Sequence, residues 1–401
     1  MTGGTKTIMI FGAGINQLEL IREAKAMGVL TVVIDPQKDP PGKAESDFFY
    51  RVDGNDYETT KAIALRHNVN GIVTGQMERP MRLMARLAQD LGYIFHAPAV
   101  VERSLDKWLM KIAFMEHSVP CAKGILLKPE EALDKNVITG LNFPVIIKPR
   151  DAFSSRGVYK INKFEDLSKY LAESRSYASN GDVLIEEFLE GKEYSVETLT
   201  WHGVTTIIQY TEKIITPYPN TVEMGHIQPA DLTENEKEGI KTVVISGINS
   251  LGIDNSAAHS EVMLTSAGPK IIEIGARLGG DFIGSYLTKA STGISMDKAA
   301  VQVALGIKPQ LRFPIKKYSM VKYIELPFSK RVEKILELNN LYNVPGLVFL
   351  WVFVKEEDII EKITHSGARP ACFIVEEKSI ESLTKLADRV SSLLIKNIIL
   401  D

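Results

Sequence analysis

The chain has 401 residues, a formal net charge of −3 and a hydrophobic share of 45%, which favours a soluble protein of two or three lobes. The near-neutral charge gives no electrostatic basis for binding nucleic acid or an anionic membrane, and no apolar run approaches the roughly 20 residues of a membrane span. Cys121 and Cys372 match no metal or redox spacing, and the N-terminus lacks the apolar core of a signal peptide, so we expect a cytoplasmic protein.

Strand and helix patterns alternate through the first hundred residues. Apolar strands are predicted at 7–11 and 29–34, with an amphipathic helix at 17–27 between them. A further strand and helix follow in the segments NGIVTG and RPMRLMARLAQDLG. This alternation predicts a parallel sheet covered by helices.

The turn after the first strand partly matches a dinucleotide-binding fingerprint. Gly12 and Gly14 follow the strand, and Asp35 ends the second strand, where an acid that binds ribose would lie. The third glycine is missing, because position 17 is Gln. A tight turn needed by any such sheet explains the glycines equally well, so a nicotinamide-dependent oxidoreductase remains an alternative at this point.

Two lysines stand at the ends of predicted elements in the next segment. A helix is predicted to begin at Ser104 as N-cap, which places Lys107 in a first turn where the helix dipole favours an acid. Lys148 closes an apolar strand and precedes a polar loop at 150–157. That loop offers hydroxyls, backbone N–H groups and a guanidinium, which suit a phosphate. An ordinary mobile hairpin loop is the alternative.

The segment from Gly181 to Ile214 is predicted as a meander of three strands, with turns at 190–191 and 201–203. Glu193 and Glu197 share one face of it, which we expect to be exposed and polar. A helix with a capping box follows at 233–251. Residues 310–401 combine short strands with a final helix from Ser379, and this small α+β lobe carries no recognisable chemistry.

Two acidic residues, Glu261 and Glu273, lie in neighbouring apolar strands. If 265–269 is a hairpin loop, Leu264 pairs with Lys270, and Glu261 then faces Glu273 on the same side of the sheet as Ile271. Like charges directly opposite each other repel. A hard divalent cation such as Mg²⁺ between them would remove the repulsion; one protonated carboxyl, or a wet sheet face, would do so as well.

The order of these features resembles the ATP-grasp superfamily and, within it, the carboxylate–amine ligases. The segments EIGARLGG at 273–280 and MGHIQPA at 224–230 are most similar to the L-amino-acid ligase branch. The resemblance implies α/β and α+β structure in an ATP-grasp fold: an N-terminal parallel α/β domain at 1–103, an ATP-grasp domain at 104–309 with ATP between two α+β subdomains, and a small C-terminal α+β lobe at 310–401.

The same resemblance implies ATP and Mg²⁺ as cofactors, with Mn²⁺ as an alternative metal, and gives each matching position a role. The metal-bridging pair would be Glu261 and Glu273, and Arg277 would steady the transferred phosphoryl group together with Lys148. The remaining ATP-binding positions would be Lys107, Ser154, Ser155, Arg156, Gly157, Glu186, Glu187, Phe188, Leu189 and Glu193. Glu78, at the carboxyl edge of the first sheet, and His226, in a predicted loop, are assigned with Arg277 to the substrate.

Two positions depart from the pattern of that superfamily. Gly275 stands where Asn usually provides a metal ligand, and the loop at 150–157 has one glycine where two or three are common. The implied reaction joins the carboxylate of an amino acid to an amine through an acyl phosphate, releasing ADP and phosphate. Homodimers are frequent among such ligases, and the composition does not test this.

Three other readings stay open. The same site could act on formate or bicarbonate, as in the purine-synthesis and carboxylase relatives, although Asp281, Phe282 and Ile283 suggest a pocket with apolar walls. The oxidoreductase reading leaves the lysines and the acid pair unexplained. A nucleotide sensor without catalysis would account for Gly275.

Overall fold

The computed structural model describes residues 5–131, 133–134, 138, 140–152, 156–217 and 221–401. Within these ranges, no helix is both long and apolar enough to cross a bilayer. The strands of the described residues form four sheets, two of them with four strands, one with eight and one with two. The predicted order, a parallel sheet at the N-terminus followed by antiparallel sheets, is confirmed.

The N-terminal sheet has the strand order β3-β2-β1-β4, and every neighbouring pair is parallel, as predicted. Alternate residues of β1 enter two different cores, because Ile8 and Ile10 point to one side and Met9 and Phe11 to the other. Burial on both faces explains the uninterrupted apolar run. The elements are β1 (Thr7–Phe11), α1 (Leu18–Ala26), β2 (Leu30–Asp35), β3 (Phe48–Arg51), α2 (Tyr57–Arg66), β4 (Gly71–Thr74) and α3 (Met81–Leu91).

Two helices occupy the segment in which a single helix was predicted from Ser104. These are α4 (Pro98–Leu105) and α5 (Lys107–Glu116). Ser104 lies inside α4 and donates its hydroxyl to the Val100 carbonyl, so the predicted N-cap is wrong. Asp106 caps α5 instead, because its carboxylate accepts from the backbone N–H groups of Trp108 and Leu109. Lys107 is the first residue of α5.

A small antiparallel sheet with the order β5-β8-β6-β7 follows. Its strands pair β8 with β5 and β6, so the predicted three-strand meander is wrong. Three consecutive residues of β8, Val183, Leu184 and Ile185, are fully buried, which fits a central strand covered on both faces. The elements are β5 (Gly124–Leu127), β6 (Val145–Pro149), β7 (Tyr159–Ile161), α6 (Phe164–Tyr177) and β8 (Val183–Glu187).

The eight-stranded sheet has the order β13-β12-β9-β10-β11-β14-β17-β16. The predicted turn at 201–203 is confirmed, because β9 and β10 pair from Trp201 and Val204 outward. The capping box of Thr233 and Glu236 is present at the start of α7, which packs on this sheet. The elements are β9 (Lys192–Trp201), β10 (Val204–Ile215), β11 (Glu223–Gln228), α7 (Glu234–Leu251), β12 (Ser256–Thr265), β13 (Gly268–Gly275), α8 (Thr288–Thr292) and α9 (Met296–Ala304).

The last ninety or so residues extend this large sheet, since β14 pairs with β11 and β17 with β14. The predicted final helix from Ser379 is confirmed. Ser379 is its N-cap, and the helix packs its apolar face on these strands. The elements are β14 (Tyr318–Tyr323), β15 (Val332–Ile335), α10 (Asn339–Tyr342), β16 (Leu347–Val352), β17 (Ala371–Glu377), α11 (Ile380–Lys396) and β18 (Ile398–Leu400). The domain limits at residues 103 and 309 stay a prediction.

The β12–β13 hairpin pairs Glu261 with Glu273, as predicted, but by a different register. Its turn is tighter than expected, so Leu264 pairs with Pro269 and not with Lys270. A β-bulge next to Glu261 restores the acid pairing. Because of the bulge, Ile271 is buried in the core and does not point to the same side as the acids. The predicted face of Ile271 is therefore wrong.

Candidate active site

A cavity of about 950 Å³ separates the small sheet from the large one, with the N-terminal lobe at one end. This volume is at the upper end of the range for small-molecule sites. It brings together most of the predicted site residues, namely Glu78, Lys107, Lys148, Glu186, Glu187, Phe188, Leu189, Glu193, His226, Glu261, Glu273 and Arg277. Ser154 and Ser155 lie outside the described residues, and the described Arg156 and Gly157 do not line the cavity.

The paired acids of β12 and β13 face this cavity, with 28% of the Glu261 side chain and 25% of the Glu273 side chain exposed. Each accepts from a lysine: Lys213 Nζ lies 2.7 Å from Glu261 Oε1, and Lys107 Nζ lies 3.1 Å from Glu273 Oε2. The ammonium groups relieve the repulsion between the carboxylates. A ligand set of paired, accessible carboxylate oxygens fits a hard divalent cation.

Lys213 is a residue that the sequence reasoning missed. Only 2% of its side chain is exposed, and its ammonium lies 2.6 Å from Glu193, 2.9 Å from Glu223 and 2.7 Å from Glu261. Burial lowers the pKa of Lys213, but the surrounding carboxylates outweigh this and hold it well above its ordinary value. The signal was a lysine inside the apolar strand β10, followed directly by two isoleucines.

Burial acts on the carboxylates in the opposite sense. It raises the pKa of Glu261, yet Lys213 and His259 more than compensate and hold that pKa well below its usual range. For Glu193, burial and the neighbouring acids prevail over Lys213, so its pKa is raised. The cluster therefore keeps Glu261 ionised, which is the form that a metal ion requires.

Lys148 meets a buried acid at the small-sheet end of the cavity. Its Nζ lies 2.7 Å from Glu186 Oε2, and Lys111 Nζ lies 3.1 Å from Glu186 Oε1. Burial raises the pKa of Glu186, but the two lysines bring it below its ordinary value. Lys111 was also missed, although it follows Lys107 by four residues and so shares its helix face. Two cations thus stand at this end, held by one carboxylate.

An ion pair between Arg277 and Glu78 joins the large sheet to the N-terminal lobe. Arg277 Nε and Nη2 donate to Glu78 Oε1 at 2.9 and 2.5 Å. Burial lowers the pKa of Arg277, but Glu78 more than reverses this. A Cβ at position 275 would lie 3.2 Å from the guanidinium carbon of Arg277. Glycine at this position therefore leaves room for the arginine, which gives a physical reason for the absence of Asn.

His226 is a strand residue. It lies in β11 and is fully buried, so its predicted loop position is wrong. Its Nε2 is 3.3 Å from Asp281 Oδ2. Asp281 and Ile283 line the cavity, whereas Phe282 packs into a core cluster and does not form the predicted pocket wall.

A buried Glu–His pair lies behind Glu261. Glu197 is 0% exposed, which contradicts the predicted polar exposed face, and its Oε1 is 2.5 Å from His259 Nδ1. Burial disfavours the charged imidazole, but Glu197 raises the pKa of His259 to about 9. A Cβ at Gly279 would come within 2.8 Å of both side chains. The glycine after Leu278 is thus required by this close packing.

The polar groups at the glycine turn of the N-terminal lobe form hydrogen bonds with one another. Asp35 Oδ2 accepts from the backbone N–H of Ala13, and Oδ1 accepts from that of Gln37, both at 2.8 Å. A Cβ at Gly12 would lie 2.2 Å from the sulfur of Met77. The acid that a dinucleotide ribose would need is therefore already engaged by the turn.

Comparisons with known proteins agree with this arrangement. Residues 141–285 match the family model of the ATP-grasp domain. The chain is 27% identical over 259 residues to D-alanine–D-alanine ligase of Flavobacterium psychrophilum, covering 62% of this chain and 75% of that protein. It is 21% identical over 407 residues to formate-dependent phosphoribosylglycinamide formyltransferase of Saccharolobus solfataricus, covering 98% and 97%.

The crystal structure of L-amino acid ligase from Bacillus licheniformis superposes with a TM-score of 0.84 at 19% identity, covering 100% of this chain and 99% of that one. At this identity the similarity shows the fold alone. Residues 141–285 therefore carry an ATP-grasp domain, and the predicted ATP-grasp fold is confirmed. ATP and Mg²⁺ are the usual cofactors of this family.

Proposed function

We propose that this protein is an ATP- and Mg²⁺-dependent carboxylate–amine ligase that forms an amide bond between amino acids, with release of ADP and phosphate. Its nucleotide would lie at the small-sheet end, against Lys107, Lys148 and the segment 186–189. Its organic substrates would lie at the opposite end, between Glu78 and His226.

The observation that carries this proposal is the Arg277–Glu78 pair beside the acid pair. An α-amino acid carries a cation and an anion one carbon apart. A guanidinium in contact with a carboxylate offers the complementary charges at a similar spacing. Because Arg277 also follows the strand that carries Glu273, an amino acid held there would have its carboxylate next to the phosphoryl group.

The chemistry requires two steps. A carboxylate oxygen of the donor attacks the terminal phosphorus of ATP, the bond to the bridging oxygen breaks, and ADP leaves with the electron pair. The amine nitrogen then attacks the acyl carbon, the bond to the phosphate oxygen breaks, phosphate leaves, and the nitrogen loses its proton to solvent or phosphate. Both steps bring anions together, so the lysines and Arg277 act by neutralising charge and by positioning.

Glu261 and Glu273 would hold Mg²⁺, which supplies charge neutralisation at the phosphates when bound. The ammonium groups of Lys213 and Lys107 contact the same carboxylates. We expect Lys213 to keep Glu193 and Glu261 together as one anionic wall. Lys107, at the first turn of α5, would turn from Glu273 toward the phosphates.

The test is phosphate release from Mg-ATP across a grid of amino acids taken singly and in pairs. Release that needs a particular pair, together with a mass-identified dipeptide, would support the proposal. Calorimetric binding of ATP serves as the control for folding. Bound ATP without release on any pair would reject amino acids as substrates.

Similarity over nearly the whole chain to a formate-dependent formyltransferase favours one other candidate, in which formate replaces the amino-acid donor. The same grid therefore includes formate with glycinamide ribonucleotide, and bicarbonate with an aminoimidazole ribonucleotide. Release with either combination, and none with amino acids, would move the assignment to that branch. We expect neither, because formate carries no ammonium group for Glu78 to bind.

The organisation of the chain is part of the proposal. We place the N-terminal domain at 1–103, the ATP-grasp domain at 104–309 and the C-terminal lobe at 310–401. Cytoplasmic location and a homodimer remain predictions that fractionation and light scattering would test.

A further inference from the structure

We infer that the C-terminal lobe completes the binding site of the amine substrate, and that Arg369 is a positioning residue acting on that substrate through Asp281 and His226. The inference rests on the proposed ligase function. It concerns a lobe in which the sequence showed no chemistry.

Arg369 reaches from the C-terminal lobe into the wall of the cavity. Its Nη1 and Nη2 donate to the two carboxylate oxygens of Asp281, each at 2.7 Å. Nη1 also donates to the Glu223 carbonyl at 2.8 Å, and Nε donates to the Ser366 carbonyl at 2.8 Å. Four of its five N–H groups are thus engaged within the protein. Little capacity remains for a substrate, so its role is to hold other groups.

The guanidinium is fixed from its face as well. Its central carbon lies 3.6 Å from the centre of the Tyr323 ring, on strand β14. Arginine over an aromatic face gains from the cation–π interaction. A lysine could reproduce the charge but neither the paired hydrogen bonds nor this stacking.

Asp281 needs such support because of its backbone. Asp281 and Phe282 have φ of +49° and +63°, so two consecutive residues with side chains lie in the left-handed region. Such residues are strained and persist only where surrounding contacts fix them. Arg369 supplies the polar part of that fixation and the core around Phe282 the apolar part. The turn that follows Arg277 is therefore clamped by the C-terminal lobe.

The charges at this end fit an ammonium group. Glu223, His226 and Asp281 each bring one oxygen or nitrogen to within 4.8 Å of the other two. His226 is fully buried, and its Nδ1 has no hydrogen-bond partner among the described residues. All three residues line the cavity, together with Ser366 and Gly367 of the C-terminal lobe.

The position of this cluster indicates that it binds the amine substrate and not the carboxylate donor. The donor ammonium must lie next to the group that binds its carboxylate, and only Glu78 among the described acids contacts Arg277 in an ion pair. Glu223 and Asp281 pair instead with Lys213 and Arg369. The second cluster therefore does not belong to the Arg277–Glu78 donor site, and we assign it to the other substrate.

The experiment compares two acceptors for the same acyl phosphate. Hydroxylamine attacks the acyl carbon and displaces phosphate to give a hydroxamate, so it reports donor activation without a bound amino-acid amine. Dipeptide formation reports both. We would measure kcat and KM for each product in wild type, Arg369→Met, Arg369→Lys and the control Lys317→Met, which breaks a C-terminal-lobe ion pair with Glu376 outside the cavity.

In Arg369→Met we expect the ratio of dipeptide to hydroxamate kcat/KM to fall about tenfold, through KM for the amine. Arg369→Lys should recover part of this loss, and Lys317→Met should match wild type. Calorimetric ATP affinity verifies folding. Equal losses of both products, or an unchanged ratio, would overturn the inference while leaving the ligase function intact. A wild type that yields neither product would overturn the proposed function and this inference with it.

Discussion

Two regions of this protein carry sequence features of a nucleotide site, the glycine turn of the N-terminal sheet and the wall of the central cavity. In the turn, Asp35 accepts from two backbone N–H groups of its own lobe. In the cavity wall, Glu261 and Glu273 accept from lysine side chains and remain about a quarter exposed. The first region satisfies its polar atoms internally, whereas the second holds them in ion pairs that a ligand can exchange.

This difference distinguishes a sequence motif that only stabilises the fold from residues that can bind a ligand. A hydrogen bond to a backbone N–H is part of the fold and cannot be given up without destabilising the turn. An ion pair between side chains facing a cavity can be replaced by a metal ion or a phosphate with little backbone change. The following substitutions test this distinction, from the largest expected effect to the smallest.

Glu273→Gln should reduce phosphate release by about three orders of magnitude, because the amide removes one charge from the metal pair and from Lys107. The measurement is kcat at saturating Mg-ATP with the best amino-acid pair. Glu376→Gln is the matched control, since it also removes a carboxylate that binds a lysine but lies in the C-terminal lobe outside the cavity. A Glu273→Gln enzyme with more than about a tenth of the wild-type rate would contradict the assignment.

The acid pair also shows how far the sequence could lead. Alternation and turn residues predicted the facing of Glu261 and Glu273, and the pairing is present. The route to it was wrong, because the bulge that shifts Ile271 into the core depends on packing against α7 and leaves no pattern in the sequence. Local features such as the capping box of Thr233 could be predicted from the sequence because their residues interact within one helical turn.

The residues that form ion pairs and hydrogen bonds with the predicted site residues could not be predicted from the sequence. Lys213 and His259 reach the site across the sheet order β12-β9-β10-β11, which is a property of the tertiary fold. β8 was assigned to the wrong sheet for the same reason, since the apolar sequence of a strand does not determine which strands it pairs with. The resemblance to a family placed residues around ATP, but it did not show that the C-terminal lobe joins the wall through Arg369.

The buried His96 shows how burial shifts the pKa of a titratable group that has no strong ionic partner. His96 Nε2 lies 3.2 Å from the Ala276 carbonyl oxygen, and burial lowers the pKa of His96 from 6.5 to about 4. Because the pKa is lower in the folded state, the neutral imidazole stabilises the fold above pH 6.5. This contribution, about 3 kcal/mol, is lost as the pH falls from 6.5 to 4.

His96→Gln removes the titration while keeping a side-chain hydrogen-bond donor. We expect the free energy of unfolding, measured in denaturant at pH 7 and pH 4, to fall more steeply in wild type than in the variant. The two proteins differ by one titrating group, so the remaining carboxylates cancel in the comparison. Parallel pH dependences would mean that folding does not lower the pKa of His96.

Glu78→Gln should raise KM for the donor amino acid about thirtyfold, equivalent to about 2 kcal/mol for a lost charge-assisted hydrogen bond. Hydroxamate formation measures this without the amine. KM for ATP and for the amine should change much less, since Glu78 pairs with Arg277 and not with the lysines of the nucleotide end. A uniform change in all KM values would remove Glu78 from the donor site.

Asp35→Asn should leave ligase turnover unchanged and lower the free energy of unfolding by about 1–2 kcal/mol, because one of two backbone N–H groups loses its acceptor. Asp39→Asn is the control, since it changes an exposed acid paired with Lys43 and should alter the stability by at most a few tenths of a kcal/mol.

The oxidoreductase alternative requires the opposite of this outcome. A ribose-binding Asp35 would have to release the Ala13 and Gln37 N–H groups, so bound NADH would weaken the turn that it occupies. Fluorescence transfer from tryptophan to NADH should therefore show no saturable binding to wild type. Saturable binding that disappears in Asp35→Asn would place a dinucleotide at the turn, and internal satisfaction of polar groups would then no longer separate a motif from a site in this protein.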